Sequence, residues 1–167
     1  MNKEKFTQEV LNAEQSLYHV AKSILRNDED CADAIQNGIY KAYSKLDTLK
    51  KEVYFKTWIT RIVINECYGI LREKKRFVSL DEYERKEGIL YEEIPCQRDL
   101  QETEIYAMLM ELDEKYRIPI ILHKIEGYSV REISRILNIT EVNVRNRLSR
   151  GKAMLRKKMK GEKSNVI

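Results

Sequence analysis

The chain has 167 residues, of which 35% are charged and 43% hydrophobic, and its formal net charge at neutral pH is +4. This length allows one domain, or two small domains joined by a linker. No apolar run approaches the roughly 20 residues that span a bilayer, so we expect no membrane insertion. Three separated cysteines and two histidines, without ligand-like spacing, predict no metal site and fit a reducing cytoplasm.

The charged residues are unevenly distributed along the chain. Between Asp81 and Glu104 there are nine acidic and three basic residues, and from Glu141 onward there are nine basic and two acidic residues. A basic end behind an acidic connector is typical of a nucleic-acid-binding protein. A solvated helix face is the plainer alternative for such charge runs.

Helical periodicity dominates the sequence, and no strand-like alternation or hairpin dipeptide occurs, so the predicted fold is all-α. Apolar spacing predicts one or two helices over residues 3–26, another over about 30–46, and another over 54–76. These helices form a first small domain, residues 1–76.

The periodicity fails between residues 77 and 102. Gly88, Pro95 and many acidic residues in this stretch are typical of a flexible acidic linker. Helical spacing then resumes, which predicts a second small domain over residues 103–160, with a tail over 161–167. Each domain is too small to be very stable alone.

Pro119 interrupts the helix that is expected over residues 113–126. Proline costs about 3 kcal/mol in a helix interior. We therefore expect a restart or kink near Arg117.

The stretch "GYSVREISRILNITEVNVRNRLSRGKAML", residues 127–155, has the form of a helix-turn-helix. Ser129 and Glu132 are spaced as a capping box at the start of the first helix. Asn138 stands where the turn needs a left-handed residue, and Thr140 is placed to cap the second helix.

The second of these helices carries polar and basic residues outside its apolar face. A recognition helix uses its first turns to reach base edges in the major groove. Arg145, Asn146 and Arg150 suit base contacts, whereas Arg147 and Lys152 suit phosphates. The full candidate set for duplex binding is Asn143, Arg145, Asn146, Arg147, Ser149, Arg150 and Lys152. A helical hairpin with solvated arginines is the alternative.

The stretch "YFKTWITRIVINECYGILREKKR", residues 54–76, combines an apolar face with a second, polar stripe. We define the polar stripe as Arg61, Asn65, Tyr68, Arg72 and Lys75. Basic residues can follow a nucleic-acid backbone, and aromatic rings can stack on unpaired bases. Trp58 and Tyr68 could each belong to the core or to such a surface, and the sequence leaves both interpretations open.

Three stretches together resemble a known family, the extracytoplasmic-function sigma factors of RNA polymerase. "LDEKYRIPIILHKIEGYSVREISRILNITEVNVRNRLSRGKAMLRK" is similar to the family's −35-element-binding region. "DCADAIQNGIYKAYSKL" resembles the helix that holds RNA polymerase, and "FKTWITRIVINECYGILREKKR" resembles the segment that handles the −10 element. The resemblance implies an alternative sigma factor of the cytoplasm, active in stress responses, with no enzymatic activity, cofactor or small-molecule substrate.

The resemblance also implies roles for residues of the first domain. The loop from Asp47 to Tyr54 resembles the family's specificity loop, which accepts a flipped base, and Tyr54 and Lys56 would line it. The remaining −10 candidates are Arg61, Asn65, Tyr68, Arg72 and Lys75. Asp33, Gln36 and Asn37 would face the clamp helices of the polymerase's largest subunit. The sequence departs from the family at Gln36-Asn37-Gly38-Ile39, where Gly38 weakens the helix by roughly 1 kcal/mol relative to alanine.

Further implied partners are the polymerase flap, promoter DNA and an anti-sigma factor that covers the DNA-binding faces. The main alternative is a stand-alone helix-turn-helix regulator that binds a palindromic operator as a dimer. An enzyme is a third class, but the sequence has no glycine-rich phosphate loop, metal cluster or nucleophile elbow. We therefore expect no catalytic residue.

Overall fold

The computed structural model describes the backbone of residues 1–78 and 100–164, and the side chains of residues 1–77 and 104–161. The described segments contain helices and turns and no strand. The chain divides into two compact units, Met1–Glu93 and Ile94–Ile167. The prediction of an all-α fold with two helical domains is confirmed. None of the helices in the described part combines the length and hydropathy needed to cross a bilayer.

Unit 1 contains three long helices and two short 3₁₀ turns. They are α1 (Lys3–Leu25), α2 (Asp28–Ser44), the turns Leu46–Thr48 and Glu52–Tyr54, and α3 (Phe55–Val78). The first predicted segment is therefore one helix rather than two. Residues 79–99, which hold most of the predicted linker, lie outside the described residues.

The helix boundaries of unit 1 follow from capping residues. Asn2 caps α1 by accepting a hydrogen bond from the Lys5 backbone N–H at 2.8 Å. The chain leaves α1 through Arg26, whose φ of 68° is left-handed. Asn27 then caps α2 by accepting from the Asp30 backbone N–H at 2.9 Å. This short connection makes α1 and α2 antiparallel neighbours.

The core of unit 1 lies among all three helices. Its most deeply buried side chains include Leu17, Val20 and Ile24 of α1, Cys31, Ala34 and Ala42 of α2, and Phe55, Ile59, Val63, Ile64 and Cys67 of α3. Gly38 has a role here that its low helix propensity does not reveal. A Cβ atom on Gly38 would lie 2.6 Å from Val63 Cγ2 and 3.3 Å from Val63 Cα. Gly38 is therefore what lets the backbones of α2 and α3 approach this closely.

Unit 2 contains four α-helices and one π-helical turn among its described residues. They are α4 (Leu100–Glu111), α5 (Glu114–Ile120), the π turn Ile121–Ile125, α6 (Val130–Leu137) and α7 (Glu141–Ser164). The core is formed by side chains such as Leu109, Leu112, Ile118, Leu122, Ile133, Ile136, Val144 and Leu148.

The helix around Pro119 differs from the prediction of a restart or kink near Arg117. α5 runs without a break from Glu114 through Arg117 to Ile120, and the helix changes to a π turn only after the proline. Arg117 is 2% exposed, and its Nη1 donates a hydrogen bond to the Leu112 carbonyl at 2.7 Å. This anchoring holds the turn before Pro119 in the core, so tertiary packing overrides the local cost of the proline.

A second close helix contact involves Gly151 of α7. A Cβ atom there would lie 2.6 Å from Ile120 Cδ1 and 3.3 Å from Tyr116 Cβ. The absence of a side chain at Gly151 brings α7 against α5 and fixes which side of α7 is buried. The opposite side of α7 faces outward.

Candidate nucleic-acid interfaces

The helix-turn-helix of unit 2 is built by reciprocal backbone and side-chain hydrogen bonds. The Glu132 backbone N–H donates to Ser129 Oγ at 3.1 Å, and the Ser129 backbone N–H donates to Glu132 Oε2 at 2.8 Å. The Asn143 backbone N–H donates to Thr140 Oγ1 at 3.1 Å, which caps α7. The predicted capping box and the predicted cap of the second helix are therefore present.

The turn between α6 and α7 is fixed by two further features. Asn138 has a φ of 55°, as the predicted left-handed turn requires. Ser134 Oγ donates a hydrogen bond to the Ile139 carbonyl at 2.7 Å, which ties the turn back onto α6. These contacts set the direction in which α7 leaves the turn.

α7 separates its residues into a buried side and an exposed side. Val144, Leu148 and Gly151 are buried. Of the seven duplex-binding candidates, Arg145, Asn146, Ser149 and Arg150 are exposed, and Asn143, Arg147 and Lys152 are half-buried. We call the exposed side of the first three turns the recognition face. Four of the predicted residues lie on it, and the other three lie along its margins.

Two of the arginines in this set are held by residues of α7 itself. Arg147 Nε donates to Asn143 Oδ1 at 3.1 Å. Arg145 Nη2 lies 3.5 Å from Glu141 Oε2, one helical turn earlier. Since the Asn143 amide oxygen already accepts from Arg147, these two residues form one unit rather than two independent contacts. The sequence did not reveal this pairing.

The polar stripe of unit 1 extends along one side of α3. Its members follow one another at intervals of four, three, four and three residues, so they stay on one side of a helix for about 21 Å. Arg61, Asn65, Arg72 and Lys75 are exposed, and Tyr68 is half-buried. Within residues 1–77 and 104–161, the side chains of Arg61, Asn65, Arg72 and Lys75 have no hydrogen bond or ion pair.

The loop candidates Tyr54 and Lys56 are not part of this stripe. Tyr54 closes the second 3₁₀ turn with 46% of its surface exposed. Lys56 lies in the first turn of α3, five residues before Arg61, which places it about 140° around the helix axis from that residue. The structure thus sets Lys56 apart from the cations of the polar stripe.

An ion pair fixes the loop to α1. Lys5 Nζ donates to Glu52 in the second 3₁₀ turn. This hydrogen bond is the main reason why the pKa of Glu52 lies below its ordinary value. Both side chains are substantially exposed, so the pair positions the loop more than it stabilises the fold.

Aromatic rings pack against one another at the start of α3. Phe55 is 1% exposed, and its ring centroid lies 5.7 Å from that of Phe6 and 6.0 Å from that of Trp58. Phe6 in turn meets Tyr43 edge-on at 5.3 Å. Trp58 is half-buried against this cluster. One part of the indole therefore belongs to the core, and the other part remains accessible.

Charged side chains of α3 form two ion pairs with α2. Lys74 forms an ion pair with Asp30, and Glu66 forms one with Lys41. Burial raises the pKa of Asp30, but hydrogen bonds from Lys74 and Asn27 outweigh burial, so the pKa lies below its ordinary value. Lys74 is thus engaged with α2, in contrast to Lys75 on the polar stripe.

The three polymerase-binding candidates lie together on α2. Asp33, Gln36 and Asn37 are all exposed. Gln36 also lines a groove of about 580 Å³ between α1 and α2, whose apolar lining includes Leu11. The groove was missed in the sequence because Leu11 has helical spacing typical of a core residue, yet it is 59% exposed. Tyr40, one turn beyond Gln36, is 73% exposed.

Each of the two units matches a known protein family. The sigma-70 region 2 family matches residues 12–77, which include the polymerase-binding candidates and the polar stripe. The sigma-70 region 4 family matches residues 102–155, which include the whole helix-turn-helix and every duplex-binding candidate. The two units are therefore a region 2 domain and a region 4 domain of a sigma factor.

Comparison with individual proteins shows which group of sigma factors the chain belongs to. The chain is 30% identical over 155 residues to the ECF RNA polymerase sigma factor SigW of Bacillus subtilis, covering 86% of this chain and 83% of the relative. It is 26% identical to the RNA polymerase sigma factor SigV of the same organism, covering 88% and 86%. The chain belongs to the family of extracytoplasmic-function RNA polymerase sigma factors.

A solved structure shares this architecture. The sigma factor RpoE of Bartonella quintana, solved in complex with the anti-sigma factor NepR, aligns with a TM-score of 0.78 and 26% identity. The alignment covers 94% of this chain and 98% of that one. Family membership makes this chain a transcription-initiation factor and does not favour the alternative of a stand-alone regulator.

Proposed function

We propose that the chain binds core RNA polymerase and directs it to specific promoters, where unit 2 reads the −35 element as duplex and unit 1 captures the melted −10 strand. The observation that carries this proposal is the presence of two different basic surfaces on two separately folded units, one on α7 and one on α3. A protein that only bound an operator would need the first surface and not the second.

The recognition face of α7 suits closed duplex. Arg145 and Arg150 can pair bidentately with guanine, and Asn146 can pair with adenine, at the edges that the major groove presents. Arg147 and Lys152 lie on the margins of this face, where the phosphates of the groove walls would pass. Asn143 positions Arg147 through the hydrogen bond at 3.1 Å, and its Nδ2 group stays available to a base edge.

The polar stripe of α3 suits a single strand. Arg61, Arg72 and Lys75 provide cations along about 21 Å, which a flexible phosphate backbone can follow. Asn65, in the middle of the stripe, would contact a base edge or sugar. Tyr68 is half-buried, so its ring is held in place while one part stays open for stacking. Stacking contributes about 1–3 kcal/mol per base.

The loop before α3 would hold a base that leaves the stack. Tyr54 is placed at its end, and the Lys5–Glu52 ion pair anchors it. A flipped base needs a preformed pocket, because ordering a loose loop would consume binding energy. Lys56 lies in the first turn of α3, directly after this loop and on another side of α3 from the polar stripe.

Asp33, Gln36 and Asn37 of α2 would dock onto the clamp helices of the polymerase's largest subunit, and unit 2 onto its flap. All three side chains are exposed on α2, a different helix from the two that carry the DNA-binding surfaces. An anti-sigma factor that covered these surfaces would hold the protein inactive. The complex of RpoE with NepR supports this mode of control.

The test is initiation by a reconstituted holoenzyme. The purified chain is mixed with core RNA polymerase and a library of promoter sequences, and the transcript start sites are mapped. We expect initiation at defined sites only when chain and core are both present, with unpaired thymines in the −10 region becoming reactive to permanganate. Tight binding to a palindrome by the chain alone, without initiation, would overturn the proposal.

A further inference from the structure

Val142 is the most exposed large apolar side chain described in unit 2, with 63% of its surface accessible. It stands in the first turn of α7, two residues before the fully buried Val144. Valine also lowers helix propensity relative to alanine, because its branched side chain loses rotamer freedom. Neither core packing nor helix stability therefore explains a valine at this position.

The exposed residues around Val142 lie in separate neutral and basic rows along α7. Val142, Asn146, Ser149 and Ala153 are all exposed, and their spacing of four, three and four residues places them in one row opposite Val144 and Leu148. We call this row the neutral ridge, because none of its members carries a charge. Basic residues flank it on both sides: Arg145 and Arg156 on one, Arg150 and Lys157 on the other.

This arrangement matches the cross-section of a major groove. Phosphates line the two walls of the groove, and base edges form its floor. A neutral row between two basic rows would therefore lie along the floor, with Arg145 and Arg150 reaching base edges on either side of it and Arg156 and Lys157 reaching the phosphates of the walls. The first turns of a recognition helix enter deepest, so Val142 would meet the bases before the other members of the ridge.

We propose that Val142 contacts the 5-methyl group of a thymine in the −35 element and so contributes to promoter choice. This inference rests on the proposed function of unit 2. The thymine methyl is the one apolar group on the major-groove edge of a base pair, and apolar side chains are what recognise it. A valine side chain has no hydrogen-bonding group, so apolar contact with this methyl group is how it would favour thymine over the other bases.

The experiment removes the methyl group and nothing else. The −35 element selected from the promoter library is synthesised with each thymine replaced in turn by uracil, which lacks only that methyl group. Holoenzyme binding is then measured by competition. At one position we expect uracil to weaken binding about fourfold, which corresponds to one buried apolar carbon.

The variant Val142→Ala should bind the thymine promoter about fourfold more weakly and should no longer distinguish thymine from uracil at that position. Alanine favours the helix, so loss of folding is not expected. Met159→Ala is the matched control, because Met159 is an exposed apolar residue of α7 beyond its first turns. It should keep the discrimination.

Equal binding of thymine and uracil promoters by the unaltered chain would overturn the inference, as would full discrimination by Val142→Ala. A selected −35 element without thymine would do the same. All three outcomes leave promoter-directed initiation intact, whereas failure of the holoenzyme to select any site would instead overturn the proposed function.

Discussion

Unit 1 leaves four side chains of its polar stripe without partners among the described residues, whereas unit 2 holds Arg145 and Arg147 against neighbours on their own helix. The stripe on α3 is long and narrow, and the recognition face on α7 is short and confined to its first turns. Preorganised cations suit a rigid duplex whose groove has a fixed shape. Unconstrained cations suit a single strand whose path is variable. Arg150 and Lys152 of unit 2 have no such partner among the described residues, so the contrast applies to Arg145 and Arg147, whose partners parallel the difference between the proposed ligands.

The two units also use glycine differently at their closest helix contacts. At both glycines the atom nearest to an added Cβ is a methyl carbon at 2.6 Å, and at Gly151 that methyl is the far end of Ile120. The next atom, at 3.3 Å, is the backbone Cα of Val63 at Gly38 and the side-chain Cβ of Tyr116 at Gly151. A terminal methyl group can rotate away, but a backbone atom moves only with its helix. Unit 1 is therefore expected to tolerate less change at its glycine than unit 2.

Gly38→Ala provides the largest expected effect. The added Cβ atom would force α2 from α3, and we expect a loss of about 3 kcal/mol in the free energy of unfolding of unit 1. Gly151→Ala should cost less, about 1 kcal/mol, because Ile120 can adjust. Urea denaturation followed by circular dichroism measures both.

Gly69→Ala is the matched control on α3. A Cβ atom there would meet only Arg72 Nη2, at 3.9 Å. We expect it to stabilise unit 1 by about 0.5–1 kcal/mol, since alanine favours the helix. Equal losses for Gly38→Ala and Gly151→Ala would contradict the comparison of the two contacts.

Arg145→Ala and Arg150→Ala test the duplex-binding surface. Each should weaken holoenzyme binding by about 1–3 kcal/mol on the selected promoter, and much less on a promoter with a scrambled −35 element. Stability should hardly change, because the Arg145–Glu141 pair is exposed. Competition binding measures the effect, with Lys115→Ala as the control for loss of a cation elsewhere in unit 2. A uniform loss on both promoters would assign these arginines to phosphates instead.

Asn65→Ala tests the polar stripe on unit 1. We expect strand opening to slow by about tenfold, roughly 1.4 kcal/mol, while upstream binding stays unchanged. The rate at which −10 thymines become reactive to permanganate measures opening. Glu73→Ala, an exposed α3 substitution outside the stripe, is the control. If Asn65→Ala weakened upstream binding instead, the division of labour between the units would be wrong.

Asp30→Asn should have the smallest effect, a loss of up to about 1 kcal/mol in the stability of unit 1. Because the pKa of Asp30 is lowered in the folded state, its contribution is present above the ordinary carboxyl pKa and is lost as the pH falls through the folded value. The difference between Asp30→Asn and the unaltered chain should therefore shrink below about pH 4. Thermal unfolding across pH 3–7 measures this, with Asp33→Asn as the exposed comparison. If the stability difference stayed constant at every pH, the ion pair with Lys74 would not be the source of the stability lost in Asp30→Asn.

The sequence by itself determined the features that depend on short-range chemistry. The capping box at Ser129 and Glu132, the left-handed turn at Asn138 and the spacing of the polar stripe all depend on neighbours within a few residues, so local patterns predict them. The two-domain all-α fold follows in the same way from helical periodicity that fails between two segments.

Only the tertiary structure decided which residues meet across helices. It showed that Gly38 lies against Val63, that the buried Arg117 carries α5 through to Pro119, and that Leu11 borders a groove rather than the core. It also showed that Gly151 of α7 lies against Ile120 and Tyr116 of α5. Apart from the Arg117–Leu112 hydrogen bond, these features depend on contacts between residues far apart in the chain, and helical spacing alone does not tell which residues of two helices meet.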